Sequence, residues 1–204
     1  MTRQTAQPLH DWRLNSSDRE AYGLVTDMLD QLDLNPPYQR GTVWTADQRV
    51  ALIRSWLMGI PVPGVILNNR DNDEWARNEG SIYTDGRREN FLPTWAVVDG
   101  KQRIETALMW FTGKLFVPAS WFPADRINLA TNTADGPYVS YYGLTIVGRR
   151  FVNRAFHLPI IEAKLPDLRT EAELYLLING GGTPQSDDDM ARAANVASAT
   201  TQEK

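Results

Sequence analysis

Residues 95–111 read WAVVDGKQRIETALMWF, an apolar run that leads directly into a helix-forming one. The run at residues 95–98 predicts a buried strand. The apolar positions that follow recur at helical spacing, at Ile104, Ala107, Leu108 and Phe111. Gly100 allows the backbone to turn sharply between the two elements, and Gly113 ends the helix. The stretch therefore predicts a strand, a tight turn and a helix in direct succession.

Signals on either side predict the rest of a single α+β domain. Apolar runs at residues 64–67 (GVIL) and 158–161 (LPII) are typical of buried strands. Thr45 and Gln48 form a capping-box pattern that begins a helix. Its predicted apolar stripe is formed by Val50, Ile53 and Leu57. Together these elements predict a small mixed sheet flanked by helices.

Three further segments complete the predicted order of elements. Ser17 and Asp18 are expected to cap a helix near the N-terminus. That helix would carry its apolar side chains at Val25, Met28, Leu29 and Leu32. The polar residues 68–90 predict a long loop or a small hairpin, and TEAE at residues 170–173 resembles a second capping box.

Length and composition bound the organisation of the chain. With 204 residues, 42% of them hydrophobic, we expect one domain at residues 17–186, a mobile leader at 1–16 and a tail at 187–204. The absence of cysteine excludes a disulfide framework, a thiolate zinc site and a cysteine nucleophile. Without a signal-like N-terminus or a membrane-length apolar run, the expected location is the cytoplasm.

The charge balance limits the ways in which the chain can contact nucleic acid. A net charge of −4 argues against a sequence-indifferent DNA coat, whose affinity comes from many lysine and arginine contacts. Local basic sites stay open, because Arg87 and Arg88 form one pair and residues 149–154 carry three more arginines. For both groups the alternative is ordinary solvated surface charge.

Three segments carry candidate chemistry. At DGKQR, residues 99–103, a helix N-terminus with Lys101 and Arg103 predicts a seat for phosphate, and Asp99 caps the helix or holds a metal. NGGGTPQ, residues 179–185, indicates unusual dihedral angles or close backbone approach to a ligand. PPYQRGTVW, residues 36–44, offers an arginine fork. Each also fits a purely structural turn. Neither a P-loop nor a Gly-x-Ser-x-Gly elbow is present, and two histidines are too few for a histidine-metal motif.

Taken together, the three segments resemble the DUF262 family, the N-terminal domain of GmrSD-type restriction endonucleases, which belongs to the ParB/sulfiredoxin-like superfamily. The family pattern has Tyr-Gln-Arg followed by Val-Trp, here at residues 38–40 and 43–44. Its Asp-Gly-Gln-Gln-Arg signature corresponds to DGKQR, and its Asn-x-Gly-Gly-Thr-Pro run to residues 179–184. The resemblance implies binding of a nucleoside triphosphate, in some members with hydrolysis and Mg²⁺, linked to recognition of modified DNA and licensing of a nuclease.

The resemblance also implies a set of site residues. Catalytic roles fall to Asp99, Gln102 and Arg103, and a metal would be held by Asp99 and Glu105. The nucleotide would contact Gln39, Arg40, Gly100, Lys101, Arg103, Thr106, Asn179, Gly181, Gly182 and Thr183. Lys101 replaces the family's first glutamine and Glu105 replaces a threonine.

The expected function is therefore a free-standing nucleotide-binding domain of phage or host restriction, without nuclease activity of its own. Its expected partners are a nucleotide, modified DNA and a nuclease or defence protein, with no membrane. Two alternatives stay open. One is a metal-dependent ParB-like nuclease built on Asp99 and Glu105. The other is a non-catalytic interaction protein, such as an anti-defence decoy that keeps the fold.

Overall fold

The computed structural model describes residues 14–39, 44–83, 92–180, 191, 193–196 and 198. Eight strands are present in this part of the chain: β1 (Asn15–Glu20), β2 (Leu32–Asp33), β3 (Val65–Asn69), β4 (Trp95–Asp99), β5 (Val117–Pro118), β6 (Thr131–Thr133), β7 (Gly136–Val139) and β8 (His157–Ala163). Six α-helices accompany them: α1 (Ala21–Asp27), α2 (Ala46–Leu57), α3 (Asp73–Asn78), α4 (Lys101–Phe111), α5 (Ile146–Ala155) and α6 (Leu168–Gly180). The described residues at 191–198 are helical as well.

A mixed five-stranded sheet forms the centre, in the order β1-β8-β3-β4-β2. The β1–β8 and β3–β4 pairs are antiparallel, whereas β3–β8 and β2–β4 are parallel. A second sheet has the order β5-β7-β6. The predicted α+β class with a mixed sheet and flanking helices is confirmed.

Alternate residues of the central strands face two separate cores, as the two-residue period of a strand requires. Val65, Leu67 and Val97 face the larger core, which α1, α2, α4 and α5 cover. Ile66 and Val98 face the smaller core, which α6 covers. The strand-turn-helix order predicted for residues 95–111 is confirmed by β4 and α4. Within the described residues, no helix is both long and apolar enough to cross a membrane.

Two local predictions are wrong near the start of the chain and in the polar stretch after β3. Ser17 and Asp18 do not cap a helix but lie in β1, because their backbone pairs with β8. Helix α1 begins later, at Ala21. The polar residues after β3 include the helix α3, since the Asn72 side chain accepts hydrogen bonds from the backbone N–H groups of Glu74 and Trp75.

The capping box predicted at residues 170–173 is also wrong, whereas the one at Thr45 and Gln48 is confirmed. Asp167 begins α6, because its carboxylate accepts hydrogen bonds from the N–H and the hydroxyl of Thr170 at 2.8 and 2.6 Å. Glu173 pairs instead with Arg169 at 2.9 Å. Glu171, which lies between these two residues of the helix, is fully buried.

Glu171 joins α6 to the central sheet from a fully buried position. Its carboxylate accepts two hydrogen bonds from Arg70, at 2.9 and 2.7 Å. Asn68 and the hydroxyl of Tyr38 donate to the same carboxylate, at 2.6 and 3.1 Å. Arg70 also pairs with Asp33 at 2.8 Å. The buried charge is therefore surrounded by donors, as a charge in a protein interior must be.

The titration of this cluster follows from its burial and its charges. Burial, then the charge of Glu171, raise the pKa of Tyr38 well above its ordinary value, so the phenol stays a hydrogen-bond donor. Burial alone would lower the pKa of Arg70, but its hydrogen bonds with Glu171 and the charge of that carboxylate raise it overall. Both groups keep the protonation state that the cluster needs.

We expect Glu171→Gln to lower the free energy of unfolding by about 3–5 kcal/mol, because it leaves the Arg70 guanidinium without its buried counter-charge. Glu173→Gln is the matched control on the same helix. It breaks only an exposed ion pair and should cost at most about 1 kcal/mol. Urea denaturation of both variants measures the difference, and equal losses would show that the buried pair does not hold α6 in place.

Candidate functional site

The candidate site begins at the turn from β4 into α4. Gly100 caps the helix in the left-handed region, with φ at +93°. A side-chain carbon at this position would lie 2.8 Å from Cγ2 and 3.0 Å from Cα of Val65. The register also shifts here, since Ile66 pairs with Asp99 and Leu67 with Val97. Bulges of this kind re-aim side chains next to active sites.

Arg103 lies in the first turn of α4 and connects the turn to the sheet. Its Nη2 atom donates one hydrogen bond to the Asp99 carboxylate at 2.7 Å and another to the carbonyl oxygen of Gly64 at 2.8 Å. The Nε atom of Arg103 is buried and has no hydrogen-bond partner among the described residues. The side chains of Arg103 and Asp99 keep 14% and 28% of their surface exposed. A donor with unused capacity thus lies beside a partly open ion pair.

Arg49 of α2 is a member of the site that the sequence motifs did not indicate. Its guanidinium is buried and donates to Thr106 at 3.0 Å and to Gln102 at 3.2 Å. It also pairs with Glu105 at 3.1 Å. Arg49 therefore collects three of the predicted site residues on one side of α4. The hydroxyl of Thr106 in turn donates to the carbonyl oxygen of Gln102 at 2.7 Å.

Lys101 is held from the other side and is almost completely buried. Its Nζ donates to the side-chain oxygen of Asn35 at 2.6 Å and lies 4.0 Å from the carboxylate of Glu105. Glu105, the departure from the family pattern, therefore faces two cations. The second departure, Lys101, supplies one of them, so the two unusual residues contact each other.

Gln39 and α6 complete the neighbourhood of the turn. The Nε2 of Gln39 donates to the carbonyl oxygens of Val97 and Val98, the latter at 3.0 Å, so it binds the last part of β4. The preceding residue, Tyr38, packs its ring 5.5 Å from that of Tyr175. Asn179 lies one helical turn further along α6 and donates to the Tyr175 carbonyl oxygen at 2.9 Å.

Gln39, residues 99–106 and the helix that carries Asn179 are thus gathered around one end of β4. Four predicted contacts, Arg40, Gly181, Gly182 and Thr183, lie outside the described residues. Among the described residues, no group of three or more histidine, aspartate or glutamate side chains is gathered in a metal-binding arrangement. Asp99 and Glu105 each face a different arginine. The catalytic, binding and metal roles of the site residues stay predictions.

A family model for the N-terminal domain of the GmrSD restriction endonuclease matches residues 23–143. This is more than half of the 204 residues, and it includes both the Tyr-Gln-Arg and the DGKQR segments. The chain belongs to the GmrSD restriction endonuclease N-terminal domain family. No curated protein and no solved structure matches the chain.

Membership in the GmrSD N-terminal family connects this chain with defence of the restriction-endonuclease type. The resemblance drawn from residues 36–44 and 99–106 is thereby confirmed. The NGGGTP segment at residues 179–184 lies beyond the matched range, so its role as part of the site stays a prediction.

One signal in this GmrSD-type sequence could have identified Arg49. The buried residues of α2 are Arg49, Leu52, Ile53 and Trp56. Arg49 is spaced three, four and seven residues from the apolar members of this set, so it lies on the same face of the helix. A charge on a buried face needs an oppositely charged or hydrogen-bonding partner. The predicted stripe included Val50 and Leu57, which are only partly buried. Because the stripe was placed on those residues, the prediction missed Arg49, which precedes Val50.

We expect Gly100→Ala to destabilise the domain more than the matched variant Gly136→Ala. Both glycines have positive φ, at +93° and +107°, so each alanine should cost about 1–2 kcal/mol of backbone strain. A side-chain carbon at residue 136 meets nothing within 4 Å, whereas at residue 100 it meets Val65. Overpacking adds about 1–3 kcal/mol to the cost of Gly100→Ala. Denaturant unfolding measures both, and equal losses would contradict the close approach to β3.

Proposed function

We propose that this domain binds a nucleoside triphosphate at the N-terminus of α4 and uses it in restriction-type defence. The phosphates would lie against the first turn of the helix, where Arg103 and the backbone N–H groups can donate. The first N–H groups of a helix have no partner within the helix and carry a partial positive charge. Gln39 and the segment after Asn179 would contact the other side of the nucleotide.

The observation that carries the proposal is the ion pair of Arg103 with Asp99 in the first turn of α4, whose side chains keep 14% and 28% of their surface exposed. An anion at the α4 N-terminus can reach this exposed part of the guanidinium. A hydrogen bond to a charged group contributes about 1.5–3 kcal/mol. The Nη2 atom is already fixed by Asp99 and Gly64, so the guanidinium is oriented before the ligand arrives.

The remaining predicted residues act in this proposal by positioning. Gln102 and Thr106 are held by Arg49, which binds the inner side of α4. Lys101 is held by Asn35 and lies near Glu105. Its ammonium group would contribute charge to the site from behind the helix rather than direct contact with a phosphate. This arrangement fits binding without requiring hydrolysis, which we assign to the assembled defence system.

The carboxylates of the site, Asp99 and Glu105, could hold a magnesium ion only if a bound phosphate provided further oxygen ligands. Mg²⁺ is commonly bound by one or two carboxylates together with the phosphates of a nucleotide. Asp99 is the partly exposed carboxylate beside the proposed phosphate seat, and it would provide the protein's ligand. Glu105 already pairs with Arg49 and lies near Lys101. It would therefore neutralise these two cations rather than bind the metal.

We expect a nucleoside triphosphate with Mg²⁺ to raise the melting temperature of the wild-type domain. At a hundredfold excess over the dissociation constant, binding adds about 2.7 kcal/mol, or roughly 5–10 °C for a domain of this size. Differential scanning fluorimetry with the four common triphosphates, with Mg²⁺ or with chelator, measures the shift. Absence of any shift under all of these conditions would overturn the proposal.

The same proposal predicts that Arg103→Gln weakens nucleotide binding about tenfold to a hundredfold, because a hydrogen bond to a charged group contributes about 1.5–3 kcal/mol. Calorimetric titration well below the melting temperature separates this loss from a loss of stability. Arg169→Gln removes the same charge from an exposed position and should bind as wild type does. Unchanged affinity in Arg103→Gln would show that Arg103 only anchors Asp99.

A further inference from the structure

Helix α5 concentrates positive charge in a chain whose net charge is −4. Its sequence, IVGRRFVNRA, contains Arg149, Arg150 and Arg154 and no acidic residue. Arg150 and Arg154 are one helical turn apart and exposed. Because residues four apart lie on the same face of a helix, the two guanidinium groups project from one side of α5.

A fourth arginine extends this surface. The guanidinium of Arg126 lies 4.2 Å over the ring of Phe151, on the flank of α5. The segment that carries it is held closely, since a side-chain carbon on Gly148 would lie 2.6 Å from the Arg126 carbonyl oxygen. Arg149 lies on the other flank, and its buried Nε has no hydrogen-bond partner among the described residues. We call these four residues and α5 the α5 arginine surface.

The α5 arginine surface is not neutralised by the described part of the chain. No ion pair joins any of its four arginines to a described carboxylate, whereas other arginines are paired: Arg19, Arg49, Arg70, Arg103 and Arg169. Acidic residues do occur on elements that pack against α5. Asp18 of β1 pairs with His157 at 2.8 Å, and Asp125 precedes Arg126 without pairing with it.

We propose that the α5 arginine surface contacts the phosphate backbone of duplex DNA. Arginine presents a planar fork of donors that matches the oxygens of a phosphate, and phosphate contacts supply most of the sequence-independent affinity of DNA-binding proteins. An acidic chain binds DNA where its unpaired cations are concentrated. The exposed Arg150 and Arg154 supply that concentration, with the partly buried Arg126 and Arg149 on their flanks.

This surface is separate from the proposed nucleotide site, although one helix touches both. Arg49, near the start of α2, contacts α4. Trp56, near the end of α2, donates to the carbonyl oxygen of His157 at 2.7 Å, beside the end of α5. The two residues are seven positions apart in the helix, about 10 Å along the axis. The DNA proposal therefore does not depend on nucleotide binding.

The test compares two double variants that change the net charge equally. Arg150→Gln/Arg154→Gln alters the α5 arginine surface, and Arg77→Gln/Arg169→Gln alters exposed arginines on α3 and α6. Fluorescence anisotropy with a short labelled DNA duplex measures affinity over a series of salt concentrations. We expect the α5 variant to bind about tenfold or more weakly and its log–log salt slope to fall by about 0.9 for each lost contact. The control should bind as wild type does.

Three outcomes would overturn the proposal: no binding of the duplex by wild type, equal affinity and slope in wild type and the α5 variant, or equal weakening in both double variants. The last result would indicate a general effect of net charge. Thermal melts verify that each variant is folded. The same melts with nucleoside triphosphate separate the two sites, because the α5 variant should keep whatever shift the wild type shows.

Discussion

The close contact between Gly100 and Val65 determines how the central sheet meets the helices that surround the site. A residue without a side chain allows β4 to pass directly against β3 and then turn into α4 within a single residue. Because that turn sets the direction of α4, it also sets where Arg103 can reach. The guanidinium arrives at the carbonyl oxygen of Gly64, one residue before the start of β3. The site is thus a consequence of how two neighbouring strands approach each other.

Two buried arginine–glutamate pairs hold the helices around this centre. Arg49 of α2 pairs with Glu105 of α4, and Arg70 beside β3 pairs with Glu171 of α6. Buried pairs are weak sources of net stability, but an alternative packing that separated either pair would leave an isolated charge in the interior. They therefore favour one arrangement of α2, α4 and α6 over others. Arg49 of the first pair also donates hydrogen bonds to Gln102 and Thr106. The pair that fixes the packing of α2 on α4 therefore also fixes these two site residues.

The sequence predicted the elements of the fold better than the contacts between them. The strand at residues 95–99 and the helix after it were predictable because their signal is local: apolar periodicity and a glycine at the turn. The position of Glu171 was not predictable, because the TEAE pattern assigns capping roles to Thr170 and Glu173 and says nothing of the residues between them. The partner of Glu171 lies 101 residues away in the sequence. A pairing across that distance leaves no trace in local spacing.

The two proposed anion sites differ in how their arginines are compensated, and this difference determines what each can bind. The guanidinium groups of the α5 arginine surface lack carboxylate partners in the described chain, so any polyanion of suitable shape gains from contact with them. Arg103 already shares its charge with Asp99 at 2.7 Å. A triphosphate that approached alone would bring its negative charge close to that carboxylate. A triphosphate that carries a divalent cation offsets the repulsion, because the cation interacts favourably with both. In the proposed function, Asp99 therefore makes the α4 site selective for an anion that arrives with its own metal, whereas α5 makes no such distinction.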